Sequence, residues 1–313
     1  MIDSVVNSKS RWSPSLHGLN FEQVQHLSLF PLSLDSLYNS TRNRSRKNLF
    51  YAYHWQCQKI GETLFDSFEL SEIVNNGDIN SEDFILEIGP GTGNLTKKIL
   101  EKKPKLLIVV EKDKDLSLVL KRKYGEKIEI INKDILSCYH DFKFDRPIKV
   151  FGNLPYNIST QILTSFIKLK DMNEKFQKFV FIFQKEVAER ILANENSKNY
   201  GRLSIITYWK MNVKKVIDID PKYFNPVPKV WSTLLLFTPK LDFKYLNKPE
   251  NLEHITNIFF SQRRKMIKKP MKQIFSNFNE IADKMNIDLN LRPQNISKNT
   301  YLEICKIYDK LHK

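Results

Sequence analysis

An α/β fold, a doubly wound and mainly parallel sheet followed by a smaller, mainly helical C-terminal domain, is what this sequence predicts. Three observations lead there. Strand-like apolar runs alternate with helix-like stretches from residue 84 to about 193. Three of only nine glycines, Gly89, Gly91 and Gly93, fall together at the first strand-to-helix junction. Residues 250–313 read as mostly helical with one strongly basic face. Alternation of this kind is the mark of parallel strands joined through helical crossovers.

Taken in order, Phe84–Ile88 is a short apolar strand, the glycine loop follows, and 94–103 carries apolar residues at helical spacing. Residues 106–111 form a second strand, with further strands at 128–131, 149–152 and 179–183 and helices at 113–123, 159–170 and 184–193. Beyond these, 213–219 and 233–237 read as strands separated by the turn Phe224-Asn-Pro-Val-Pro-Lys. Pro239 and Pro249 bracket a linker. Residues 1–46 lack this order and carry Arg42, Arg44, Arg46 and Lys47 in a tight group, as a presequence or a disordered extension would. The predicted divisions are therefore 1–46, 47–240 and 241–313.

Composition narrows the function. The 313 residues carry a formal charge of +15, distributed as −3 over 1–83, +12 over 84–240 and +6 over 241–313. Such an excess points to a polyanionic partner. Hydrophobic residues at 41% fill a core, so wholesale disorder is excluded. No apolar run approaches the roughly 18 residues that span a bilayer. Cys57, Cys138 and Cys305 show neither finger spacing nor a disulfide rhythm and read as buried thiols. The six histidines show no metal spacing either, so no metal is expected.

The loop Glu87-Ile-Gly-Pro-Gly-Thr-Gly lets backbone approach a ligand without an intervening Cβ. Its glycines follow G-x-G-x-G, not G-x-G-x-x-G, and no Lys-Ser/Thr follows, which disfavours a pyrophosphate ligand. Three acids end successive strands or follow them: Glu87, Glu111 about 20 residues on, and Asp134. In an open α/β sheet, ligands bind at the carboxyl ends of the strands, where an acid commonly holds a ribose diol. Acidic walls suit a cationic nucleoside, which points to S-adenosylmethionine. At the same edge, Phe151-Gly-Asn-Leu-Pro-Tyr-Asn-Ile-Ser-Thr follows the fourth strand. An adenine amine is a poor nucleophile that needs orientation more than a base. The Asn153 side-chain oxygen and the Leu154 carbonyl could accept its two N–H groups, Pro155 would fix the turn, and Tyr156 offers a stacking ring.

With these motifs the sequence resembles the ribosomal small-subunit RNA adenine dimethyltransferase family, which includes bacterial kasugamycin-sensitivity methylases, nucleolar relatives and mitochondrial transcription factor B proteins. The likeness runs from about residue 47 to 308. It also includes Phe183-Gln-Lys-Glu-Val-Ala-Glu-Arg-Ile, Tyr200-Gly-Arg-Leu-Ser, Phe224-Asn-Pro-Val-Pro-Lys-Val and Phe260-Ser-Gln-Arg-Arg-Lys-Met-Ile-Lys. The resemblance implies a Rossmann-like S-adenosylmethionine-dependent methyltransferase that dimethylates two adjacent adenosines in the 3′-terminal hairpin of small-subunit rRNA during ribosome biogenesis. It implies that Gly89, Glu111, Asp134 and Asn153 hold the cofactor, with Glu111 on the ribose hydroxyls and Asp134 on the adenine amine. Glu87, Gly91, Gly93, Lys112 and Ile135 complete that set. Family members carry a Gln-Asn-Phe-Leu type motif before the first domain helix. Here Lys47-Asn48-Leu49-Phe50 stands in its place, with Asn48 as the substitute lid residue.

For RNA, Arg263, Arg264, Lys265, Lys268, Lys269 and Lys272 are expected on one helix, with 265, 268, 269 and 272 on a shared face, and Lys229 nearby in the Pro-rich turn. Phe179, Phe181 and Phe183 alternate as in a buried strand, with Phe183 also a candidate neighbour of the target base. The expected partner is small-subunit rRNA or the immature small subunit, bound by a monomer with no membrane role. Similarity to the mitochondrial branch suggests a mitochondrial location, with a bacterial cytoplasm as the alternative. A non-catalytic RNA-binding assembly factor or organellar transcription factor is the competing class. A DNA adenine methylase is third, because such enzymes usually show Pro where Leu154 stands.

Overall fold

The structure, a computed structural model, describes residues 63–64 and 68–312. Asn48, Cys57 and the expected extension over 1–46 lie outside them. The residues from Thr63 onward form one compact unit.

Its centre is a seven-stranded sheet of β2 (Phe84–Ile88), β3 (Leu106–Val110), β4 (Glu129–Ile131), β5 (Ile148–Asn153), β6 (Phe176–Gln184), β7 (Met211–Ile219) and β9 (Ser232–Pro239), in the order β4-β3-β2-β5-β6-β9-β7. Strands β4, β3, β2, β5 and β6 are parallel to one another. β9 inserts antiparallel between β6 and β7. A two-residue ribbon pairs β1 (Thr63–Leu64) with β8 (Phe224–Asn225).

The pattern of the central parallel strands follows from burial on both faces, which makes such a strand a near-continuous apolar run, as in Leu106-Leu-Ile-Val-Val. In β6 the alternation has a specific use. Phe179, Phe181 and Phe183 enter one core with Phe166 and Phe237, while Val180 and Ile182 enter the core on the opposite face. Phe183 is 0% exposed, so core packing accounts for it and its expected place beside a target base is corrected.

The helices between strands are α1 (Phe68–Gly77), α2 (Asn94–Glu101), α3 (Lys114–Tyr124), α4 (Ile135–Cys138), α5 (Ser159–Lys168), α6 (Met172–Lys175), α7 (Lys185–Leu192) and α8 (Arg202–Lys210). Asp113 caps α3 by accepting from the Asp115 and Leu116 amides at 2.8 and 3.1 Å. α8 is absent from the sequence-based expectation. Most of its residues are buried, from Ser204 through Thr207 and again at Trp209 and Lys210, so it shows no polar face from which a helical period can be read.

Four further helices follow: α9 (Pro249–Ser261), α10 (Lys268–Ile274), α11 (Phe278–Lys284) and α12 (Lys298–Leu311). Their buried residues Ile255, Phe259, Tyr301 and Ile304 share one core with Phe181, Phe183 and Trp209. The expected single helix over 262–272 is corrected: α9 ends at Ser261, and α10 starts only at Lys268. Pro270 explains the break. Inside a continuous helix it would lack an N–H and clash with the preceding turn, whereas here it sits in the first turn of α10, where no donor is needed. Buried Ile267 anchors the restart through its amide, which donates to the Leu291 carbonyl at 2.8 Å. Cys138 and Cys305 are buried free thiols, and burial pushes both pKa values up. Among the described residues no helix is long and apolar enough to cross a membrane.

Candidate active site

Two loops meet at the carboxyl edge of the sheet because their parent strands, β2 and β5, are hydrogen-bonded neighbours. The glycine loop leaves β2 with Gly89, Gly91 and Gly93 all at positive φ (65°, 58° and 84°). Gly89 lies against the tetrapeptide, since a Cβ placed on it would stand 3.9 Å from Pro155 Cδ. Gly93 is confined more tightly: its Cβ would fall 2.7 Å from the Tyr124 ring, whose hydroxyl donates to the Gly93 carbonyl at 2.6 Å. That contact ties the loop to α3.

The three acids divide into different roles. Glu87 is 1% exposed and lies within the sheet, where it accepts from the Thr96 hydroxyl at 2.7 Å. Burial first, and the nearby Glu111 charge as a lesser cause, push its pKa up to about 8. Glu87 thus braces the loop to the first turn of α2 rather than lining an open wall. Glu111, just past β3, accepts from the Gly91 amide at 3.2 Å and from the Asp113 amide at 2.8 Å. Burial raises its pKa, and those backbone hydrogen bonds oppose the rise. Asp134 caps α4 by accepting from the Leu136 amide at 3.0 Å, while its other oxygen pairs with Lys112 at 2.9 Å. The hydrogen bond from Lys112 is the leading cause holding the Asp134 carboxyl below its ordinary value. Ile135 is buried directly behind this cap.

The composition of this edge suits S-adenosylmethionine. A loop amide that would face a phosphate elsewhere donates here to a carboxylate, Glu111. A carboxylate offers about four acceptor sites, and the two amide contacts leave capacity for a ribose diol. Asn132, not among the residues the sequence brought forward, holds this region: its side-chain amide donates to the Glu111 carbonyl at 2.8 Å and to Ser117 Oγ at 3.0 Å.

Asn153 ends β5, and Leu154 folds back beneath it, 1% exposed. Gly152 permits that fold, since a Cβ there would strike Leu154 Cδ2 at 2.6 Å. Pro155 is exposed, and its carbonyl accepts from the Ile158 amide at 3.1 Å to close the turn into α5. The hydroxyls of Tyr156 and Ser232 share a hydrogen bond at 2.6 Å, which fixes the tyrosine from β9, 76 residues later. Ser232 lacks any sequence signal linking it to residue 156; only the insertion of β9 beside β6 brings them together.

The predicted RNA-contacting side chains separate. Lys265, Lys268, Lys269 and Lys272 are exposed, as are Arg264 and Lys229. Arg263 is partly buried, and its guanidinium donates to the carbonyls of Ser197 and Lys198 and to Gln294.

A family model described as ribosomal RNA adenine dimethylase matches residues 62–310. Among curated proteins, a ribosomal RNA small subunit methyltransferase A of Pelagibacter ubique is 54% identical over 248 residues, covering 79% of this chain and 94% of the relative. The protein of that name from Ehrlichia chaffeensis is 39% identical over 251 residues, with the same coverage of each chain. In fold, the chain resembles the crystal structure of a dimethyladenosine transferase from Plasmodium falciparum, with a TM-score of 0.65 and 27% identity over 79% of this chain and 97% of that one. The 23S rRNA methyltransferase ErmE shares the fold at a TM-score of 0.58 and 20% identity, over 80% of this chain and 99% of that one.

Proposed function

Because the chain belongs to the ribosomal RNA adenine dimethylase family, we propose that its carboxyl-edge site dimethylates two adjacent adenosines in the 3′-terminal hairpin of small-subunit rRNA. The protein is an S-adenosylmethionine-dependent rRNA adenine dimethyltransferase. The single observation that carries the site assignment is the apposition of the glycine loop and the Asn153-Leu154-Pro155-Tyr156 turn, which meet at Gly89 and Pro155.

When bound, S-adenosylmethionine supplies an electrophilic methyl group. Glu111 holds the ribose hydroxyls, and Asp134 takes the adenine amine, with Lys112 and Ile135 bordering it. Gly89 and Gly91 leave the backbone open to close approach, while Gly93 makes room for Tyr124, which braces the loop. Toward the substrate, the Asn153 side-chain oxygen and the Leu154 carbonyl accept the two N–H groups of the target amine, which aims its nitrogen. Tyr156, fixed by Ser232, presents its ring to the base. The gain is chiefly positional, and well-oriented reactants recover several kcal/mol of barrier this way.

The exposed Lys229, Arg264, Lys265, Lys268, Lys269 and Lys272 contact RNA phosphates. Arg263 belongs with them by sequence, but its hydrogen bonds favour a structural part. The substrate we infer is the immature small subunit, met by a monomer. The curated relatives named above are bacterial, which supports the cytoplasmic alternative over the mitochondrial one. The family, together with retention of the acids and the tetrapeptide, does not favour the non-catalytic assembly-factor or transcription-factor reading.

The test is Asn153→Ala. Labelled methyl transfer to immature small subunits should be lost while the circular dichroism spectrum persists. Wild-type incorporation by that variant would sink the assignment.

A further inference from the structure

Beside the tetrapeptide lies a surface that the methyl-transfer chemistry does not use. The loop between β8 and β9 exposes Val227, Val230 and Trp231, with 46% of Trp231 open to solvent. Exposed single apolar residues are ordinary, but a half-open indole in a short loop that also exposes two valines is unusual enough to ask what it meets. Two contacts hold the tryptophan's backbone in place. The Lys185 amide donates to the Trp231 carbonyl at 2.8 Å, and the next residue, Ser232, carries the 2.6 Å hydrogen bond to Tyr156. Trp231 is therefore one peptide bond from a residue that touches the tetrapeptide.

The surroundings define what fits. Lys185 Nζ stands 5.7 Å from the centroid of the indole ring. Lys215 and Lys222 lie on β7 and the turn after it, and Lys229 is exposed in the loop itself. Asp218 pairs with Lys185 at 3.2 Å and Lys215 at 2.8 Å, and Asp220 with Lys222 at 3.5 Å. Four lysines against two aspartates leave this edge positive. A flat, electron-rich ring with the Lys185 ammonium beside it, on a lysine-bearing edge, matches an unpaired nucleobase on its phosphate backbone. An enzyme that works on an adenine must present that base out of its stack, which leaves the neighbouring bases unstacked as well.

We propose that Trp231 is an RNA-binding residue on which an unpaired base next to the target adenosine stacks, with Lys185 and Lys229 on the adjoining phosphates. The inference rests on the functional reading above and extends it to the nucleotide flanking the reacting one. Trp231 takes no part in cofactor binding, and its ring serves to position RNA.

The experiment pairs Trp231→Ala, Trp231→Phe and Trp231→Lys with the wild type, using unmethylated small ribosomal subunits as substrate and labelled S-adenosylmethionine as donor. Loss of base–aromatic stacking should raise the KM for subunits about 5- to 150-fold in Trp231→Ala. The KM for cofactor should stay unchanged. Phe should restore most of the loss and Lys none of it, because a ring and not a charge is required. Binding of the dye-labelled 3′-terminal RNA hairpin, followed by fluorescence anisotropy, gives a readout independent of turnover, and quenching of tryptophan fluorescence by the same RNA reports contact with the ring. That quench should shrink in Trp231→Phe although affinity is kept. A wild-type subunit KM and hairpin affinity in Trp231→Ala would overturn the proposal. So would equal losses in the Ala and Phe variants, or a wild-type dimer that Trp231→Ala dissociates. If the wild type binds the hairpin without methylating subunits, the functional reading falls, and the binding comparison still decides for or against Trp231.

Discussion

Replacing Glu87 by Gln tests whether the carboxyl under the glycine loop is held neutral. In the folded chain burial raises its pKa from 4.5 to about 8. Between those two values the native state keeps a proton that the unfolded chain has released, so stability falls as pH rises. The contribution is complete below about pH 4.5 and is lost progressively up to about pH 8. Each pH unit inside this window is worth about 1.4 kcal/mol. From pH 5 to pH 8 the wild type should therefore lose about 4 kcal/mol that Glu87→Gln does not lose. Gln preserves shape and an acceptor for the Thr96 hydroxyl, so whatever it costs in packing is the same at every pH. The assay is urea unfolding followed by circular dichroism at pH 5, 6, 7 and 8. All other carboxylates are common to both proteins, and the difference between the two curves isolates residue 87. A difference that stays flat across that range would refute the argument that Glu87 is neutral when folded.

Two other perturbations follow from the same geometry. Gly93→Ala places a side chain at a φ of 84° and 2.7 Å from the Tyr124 ring, so a loss of about 2–4 kcal/mol is expected in urea unfolding, from backbone strain and overpacking together. Replacing Lys268, Lys269 and Lys272 together by Ala should reduce the slope of log affinity against log salt by about 2 to 3 if each contacts a phosphate, measured by RNA binding over a salt series.

Much of the α/β core was legible because its signals are local. Strands buried on both faces read as apolar runs, and glycines at positive φ cluster where the chain must turn under a ligand. The acids at strand ends and the Asn153 turn carry their chemistry in residue type and spacing. What escaped was set by context. α8 is buried nearly all round and shows no amphipathic period. The break before α10 was signalled by Pro270, which the run of basic residues obscured. Glu87 resembles Glu111 in sequence position, yet it lies behind the loop because Thr96 in the next helix claims its carboxylate. Asn132 and Ser232 act on Glu111 and Tyr156 through partners 21 and 76 residues away, a relation that no local pattern encodes.

The placement of β9 also sets an order of events during synthesis. The chain lays down β6 and then β7, but the strand that fills the space between them arrives last, at residues 232–239. A nascent chain that has reached residue 231 already holds the glycine loop, all three carboxylates and the Asn153 turn. It still presents β6 as an open edge bearing Phe179, Phe181 and Phe183, with no hydroxyl beside Tyr156. Such an edge invites pairing with other chains. The strand that completes the substrate side of the site is thus the same one that seals this edge.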